Sequence, residues 1–187
     1  MNKRNIIIFL LLVIAAGFLY FTNKKEEEIK EQHNYVFKNL NFPQITSITL
    51  KTYVEKKPFT LKKDKSGKWS VNGVECNKYK IEYLINLLKK VDFKNVISSK
   101  KENYPNFQVD DKNAIKVIIT QGKKKIKLWI GKFTPDGNGC YVRLENGNVY
   151  LIPNNLTFEF DKTKKNFYLE DKIKKKKIKK DNSTVEK

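Results

Sequence analysis

The residues able to do chemistry are few and poorly spaced for it. His33 is the only histidine in the chain. A Ser-His-Asp relay or a histidine metal site would have to be built on that residue, which lies in a charged spacer. Paired carboxylates occur as Asp110-Asp111, Glu170-Asp171 and the run at Glu26. Adjacent residues of a strand point to opposite faces, so Asp110 and Asp111 are badly placed to share a proton, and a loop or turn role fits them better. Gly137-Asn138-Gly139 has neither the lysine nor the spacing of a phosphate loop, and no Gly-x-Ser-x-Gly elbow occurs. These patterns nominate no catalytic residue, no cofactor-binding residue and no metal ligand. The expectation is a protein that is not an enzyme and uses no cofactor.

Three side chains remain of interest. Cys76 and Cys140 are the only cysteines. An even pair invites a disulfide in an oxidising compartment; two buried or idle thiols are the other reading. Arg143 is the only arginine besides Arg4. In a chain that otherwise uses lysine, a retained arginine points to its planar fork. It would serve either an anion or partner contact, or a bidentate pair with an internal carboxylate.

Lys and Arg number 39 against 20 Asp and Glu, a net charge of +19. A footprint of this kind suggests a polyanion. Nucleic-acid readers favour arginine, however, and a lysine-for-arginine skew with many Asn and Ile is what AT-rich codons produce. We read most of it as a solvated lysine surface. A nucleic-acid partner and a small-molecule substrate are not expected.

The elements that would position these residues begin with an uncharged run from Ile6 to Thr22. As a helix rising about 1.5 Å per residue it spans roughly 25 Å, the short end of the bilayer range. Ile6, Phe9, Leu12, Ala16 and Phe21 are taken as membrane-spanning, with Tyr20 and Phe21 at an interface. Small residues stand only inside the run, at Ala15-Ala16-Gly17, and no cysteine follows it. We therefore expect an uncleaved signal anchor rather than a cleaved peptide or a lipoprotein signal. The expected organisation is a cytoplasmic tail and anchor over 1–22, a juxtamembrane stalk over 23–44, an extracytoplasmic domain over 45–171 and a disordered lysine-rich tail over 172–187. The expected location is the bacterial cytoplasmic membrane, crossed once.

Within the domain the fold class reads as α+β: antiparallel meanders with one main amphipathic helix packed on the sheet. Ile48, Leu50, Thr52 and Val54 alternate on one face; Phe59 with Leu61 and Trp69 with Val71 repeat the pattern around the turn Asp64-Lys65-Ser66-Gly67. Trp69 is expected as a core anchor. Ile81, Leu84, Ile85, Leu88 and Val91 recur at helical steps, with Asn77 as N-cap. Phe93 to Lys101 reads as a short extended segment or loop. Tyr104 to Val109 reads as irregular, because Pro105 biases Tyr104 away from helix. A second meander follows, from Ile115-Val117-Ile119 and Ile126-Leu128-Ile130 to a hairpin at Asn146-Gly147. Gly131 through Gly139 is expected as loop. Short helical turns are expected to start at Pro153-Asn154-Asn155 and run through Phe160, and again from Asn166 to Lys172.

In this order the features resemble a family of bacterial membrane-anchored proteins, domain of unknown function 4340. The residues that carry the resemblance are Ile45-Thr46-Ser47-Ile48-Thr49-Leu50, Lys68-Trp69-Ser70-Val71, and the helix with Ile81, Leu84, Leu87 and Leu88. Tyr104 with Phe107, Leu128-Trp129-Ile130-Gly131, Tyr141-Val142-Arg143 and Val149-Tyr150-Leu151 complete it. It runs from about Ile45 to Asp171. Gln108 departs from the pattern, standing where the family often has glycine. The resemblance implies a domain anchored outside the membrane, in some members similar to auxiliary components of gliding-motility-type transport systems, and it transfers no catalytic residue. The resulting expectation is a non-catalytic accessory or scaffold component of an envelope or ABC-transporter-type complex, with a protein partner. The alternative is a lysine-rich module binding polyanions or anionic lipid at the envelope.

Overall fold

The computed structural model describes residues 34–169. The anchor residues Ile6 to Phe21, His33 and the 172–187 tail lie outside that range. Among the described residues no helix is long and apolar enough to cross a membrane.

Nine strands form one antiparallel sheet. They are β1 (Ile45–Lys51), β2 (Phe59–Lys63), β3 (Trp69–Val71), β4 (Val74–Glu75), β5 (Asn95–Ser98), β6 (Ile115–Gln121), β7 (Lys124–Phe133), β8 (Cys140–Leu144) and β9 (Val149–Ile152). Their order across the sheet is β4-β3-β2-β1-β6-β7-β8-β9-β5. The α+β class with antiparallel meanders is what the alternation predicts. The two meanders are not separate layers, however. β1 pairs with β6, placing Ile48 opposite Ile119 and Leu50 opposite Val117. Both strands present their apolar set to the same side, so pairing them merges two half-cores into one.

The helix α1 (Lys78–Lys89) forms as its periodicity predicts, with Asn77 Oδ1 accepting from the Tyr79 N–H at 3.0 Å. It buries Ile81, Leu84, Ile85 and Leu88 against the inner sheet face. It also connects β4 to β5, the two opposite edges of the sheet. Twelve residues rise only about 18 Å, less than the roughly 38 Å of eight strand spacings. The rest of the inner face is covered by α3 (Leu156–Phe160) and by Phe167 and Tyr168, which follow from it. Trp69 is 2% exposed and stacks on Phe42, a core anchor as expected.

Several local expectations are corrected. Phe37 and Leu40, placed in the stalk, are each 3% exposed and belong to the core; Phe37 packs edge-on against Phe93. Packing thus begins before Ile45. Val54 does not face the core. The strand stops at Lys51, because the Asp161 carboxylate accepts from the Tyr53 and Val54 N–H groups and turns the chain. Asn72-Gly73, both at positive φ, makes a two-residue hairpin that adds β4. Phe93 to Lys101, by contrast, is extended as one of its two readings had it, in an edge strand, β5, paired to β9. β7 continues through Gly131 to Phe133 instead of ending in loop. The last helical turn is a 3-10 turn at Lys164–Phe167, earlier than its pattern suggests.

The largest correction is at Tyr104. Tyr104–Phe107 is a single turn of helix, α2, with Tyr104 at φ −57° and ψ −41°. Pro105 sits in the first turn, where its missing N–H has no helical partner to lose. Gln108 ends the turn in the left-handed region at φ 56°. Its N–H reaches the Pro105 carbonyl at 3.1 Å. That conformation is one glycine adopts most readily, which accounts for the glycine expected there.

Candidate functional site

Trp129 falls on the outer sheet face, in register with Lys116 on one side and Arg143 on the other. Alternation alone would leave it in solvent. Instead α2 and the loop that follows fold over it, making a second core from Tyr104, Val109, Ala114, Trp129 and Val149. Gly131, on the adjoining stretch of β7, lets that cover come close. A Cβ there would lie 2.1 Å from the Phe107 carbonyl oxygen and 2.7 Å from Val109 Cγ1.

Arg143 locks this cover in place. Its guanidinium carbon lies 3.6 Å from the Trp129 ring centroid and 4.6 Å from that of Tyr104. Its Nε donates to the Val109 carbonyl at 2.8 Å. Tyr104 Oη donates to the Gly147 carbonyl at 2.7 Å, tying α2 to the β8–β9 hairpin. Burial pulls the Arg143 pKa down from its ordinary value, with Tyr104 and Asp111 opposing. A guanidinium still remains charged. Arg143 thus packs within the fold, and the bidentate carboxylate pair of the structural reading is not what holds it. Its fork is spent on two aromatic faces and a backbone oxygen.

Asp110 serves a turn, and Asp111 reaches strand side chains. Asp110 Oδ1 accepts from the Lys112 and Asn113 N–H groups at 2.9 and 3.0 Å. Asp111 Oδ1 accepts from Trp129 Nε1 and from Lys116 Nζ, each at 2.8 Å. Those two donors hold the Asp111 carboxyl below its usual range, Lys116 first. The two carboxylates have different partners and share no proton.

Cys76 and Cys140 are free thiols, both buried. Cys76 Sγ faces the Val74 carbonyl at 3.6 Å, and Cys140 Sγ faces that of Asn154 at 3.2 Å. Burial pushes the Cys76 pKa up to about 11 and raises that of Cys140 as well. Neither is a thiolate at neutral pH, so neither is poised as a nucleophile. Among the described residues no group of three His, Cys, Asp or Glu side chains could hold a metal ion.

A surface feature escaped the sequence reading. Tyr79 and Tyr83 stand four residues apart on the solvent side of α1, 69% and 50% exposed. They border a cleft of about 430 Å³ whose other wall comes from Glu159, Lys162 and Asn166, with Leu84 and Phe167 at its base. Phe158, 60% exposed, lies on α3 with Lys162 Nζ over its ring at 4.3 Å. Such a cleft offers aromatic faces, the cations of Lys80 and Lys162, and the Glu159 carboxylate. Its volume is enough to seat an apolar side chain. The signal was available, as two tyrosines at helical spacing outside the apolar stripe.

The sequence family described as Domain of unknown function (DUF4340) matches residues 69–182. That match takes in every quoted motif from Trp69 onward and leaves Ile45-Thr46-Ser47-Ile48-Thr49-Leu50 outside it. No curated protein and no solved structure matches the chain.

Proposed function

The chain belongs to the DUF4340 family, and from that premise we propose that it is a membrane-anchored, non-catalytic accessory or scaffold component of a bacterial envelope complex of the ABC-transporter type. Residues 6–22 anchor it, and the domain stands outside the cytoplasmic membrane. The observation that supports this reading is the cleft bordered by the exposed Tyr79 and Tyr83. Large aromatic side chains left in solvent on a helix face are costly to keep unless a partner covers them, and they are the residue types that anchor interfaces. The side chains with the most chemical potential are occupied in the fold: Arg143 clasps α2, and the two thiols are buried.

The test is affinity capture of the tagged full-length protein from gently solubilised membranes, read by mass spectrometry. A transporter subunit at near-stoichiometric yield, lost from a Tyr79→Ser/Tyr83→Ser variant, is the expected result. Recovery of envelope polymer or lipid alone, released by raised salt, would overturn it.

A further inference from the structure

The dipeptide Asn-Gly occurs at Asn72-Gly73, Asn138-Gly139 and Asn146-Gly147. A glycine after asparagine leaves its backbone nitrogen unshielded by any side chain and its backbone free to rotate. That nitrogen can attack the asparagine amide carbon when two conditions hold. The side-chain amide must be free to turn, and the glycine N–H must be free of a hydrogen-bond partner.

The fold separates the three pairs. Asn138 Nδ2 donates to Asp136 Oδ2 at 3.2 Å, and the Gly139 N–H donates to Thr134 Oγ1 at 2.9 Å. Gly139 is buried, and a Cβ there would lie 2.5 Å from the Ile152 carbonyl oxygen. Asn146 Nδ2 donates to Tyr150 Oη at 3.2 Å, and its Oδ1 accepts from the Asn148 N–H at 3.0 Å. The Gly147 N–H donates to the Leu144 carbonyl at 3.0 Å. Asn72 and Gly73 are both exposed. Their turn is made by backbone angles alone, φ 49° and 74°, and is closed by the Val71–Val74 pair. Among the described residues neither the Asn72 amide nor the Gly73 N–H has a hydrogen-bond partner. Nothing lies within 4 Å of a Cβ built on Gly73.

We infer that Asn72 is a site of spontaneous succinimide formation, and that the fold protects the other two pairs. The Gly73 nitrogen gives its proton to hydroxide and bonds to Asn72 Cγ. The Cγ–Nδ2 bond breaks, and the nitrogen leaves as ammonia after taking a proton from water. Water then opens the ring at either carbonyl, which leaves aspartate or isoaspartate; nothing is oxidised or reduced. Aspartate keeps the turn, because Asp-Gly suits it as well. Isoaspartate carries the main chain through Cβ and Cγ, and so lengthens a turn whose size sets the register. β4 is only 2 residues long and cannot hold its place against that. Cys76 follows β4 directly, with its N–H on the Trp69 carbonyl at 2.7 Å. Its buried thiol then becomes reachable.

The experiment ages the full chain at mildly alkaline pH, folded in mild detergent and, in parallel, unfolded in urea. Peptide mapping by electron-based fragmentation distinguishes aspartate from isoaspartate at each site. In urea the three pairs should react at comparable rates. Each hydrogen bond that must break slows ring closure about fivefold. The contacts at Asn138-Gly139 and Asn146-Gly147 therefore put Asn72 ahead in the folded chain by about 25-fold and about 100-fold. Folded-state rates at 138 or 146 that equal the rate at 72 would overturn the inference. So would an Asn72 that reacts in urea and stays intact in the folded chain. A small thiol reagent tests the consequence. Labelling of Cys76 should rise with the isoaspartate fraction of the aged chain and stay low in an Asn72→Asp variant. Unchanged labelling in a chain rich in isoaspartate would refute the loosening of β4.

Discussion

Gly131→Ala is expected to dislodge the cover over Trp129. The new Cβ would sit 2.1 Å from the Phe107 oxygen, where real Cβ contacts do not fall under 3.0 Å. The obstacle is backbone, so α2 and its following loop must shift by about 1 Å. The Arg143–Val109 bond, 2.8 Å long, would then stretch beyond hydrogen-bonding range. Overpacking costs about 1–3 kcal/mol, and loss of a charged hydrogen bond about 1.5–3 kcal/mol. Together the expected loss is roughly 3–5 kcal/mol, or a melting temperature lower by about 10–15 °C. Urea unfolding of the full chain in mild detergent, followed by tryptophan emission, measures it. Gly67→Ala is the control: Gly67 has φ +84° and nothing within 4 Å of a Cβ, so it tests backbone strain without collision. That variant should lose only about 1 kcal/mol. If Gly131→Ala loses no more than Gly67→Ala, the close approach is not what holds the second core.

Two further predictions concern the same residues and the thiols. Arg143→Lys keeps the charge but loses the planar stack on Trp129 and the Nε donor, and should destabilise by about 2 kcal/mol in the same urea assay. An unchanged midpoint would show that charge alone matters there. The cysteine pKa values are raised by folding, so the unfolded chain releases these protons first. Stability is then whole below about pH 8.5 and falls as pH rises toward the folded value near 11 at Cys76. Cys76→Ala should flatten that decline between pH 8 and 10, measured as the urea midpoint against pH; an unaltered slope would remove Cys76 as its source.

The inner face was readable from the residues because it obeys simple periods. Leu50, Leu61, Val117 and Leu128 alternate, Ile81 to Leu88 repeat at helical steps, and each lies in the core. The outer face was not, since its burial depends on a distant segment. Trp129 shares a strand face with Lys125 and Lys127, which reads as solvent; it is 7% exposed because Tyr104 to Ala114 folds back over it. Nothing local to β7 encodes that return except Gly131. Arg143 was singled out by its rarity, and rarity shows that a fork is needed without naming what it holds. Tyr104 was misread because the proline rule describes an average residue, and here the cap at Gln108 and the bond to Gly147 outweigh it. Phe37 and Leu40 were missed because the apolar stretch from Tyr35 to Phe42, which has neither a strand nor a helix period, was grouped with the charged run before it.

The β1–β6 pairing has a consequence for synthesis. β1 and β2 lie near the middle of the sheet, yet β6, the neighbour β1 needs, is made some seventy residues later. Emerging from a ribosome or a translocation pore N-terminus first, the chain must hold the open edge of β1 unpaired until residue 121 has followed. Only then can the sheet join. A fragment begun at Trp69, where the family match starts, would discard β1 and β2 and leave β6 and β3 with bare edges. Strand edges of that kind recruit other chains, so such a fragment should aggregate where the whole domain does not. The unit of homology and the unit of folding differ in this protein by two central strands.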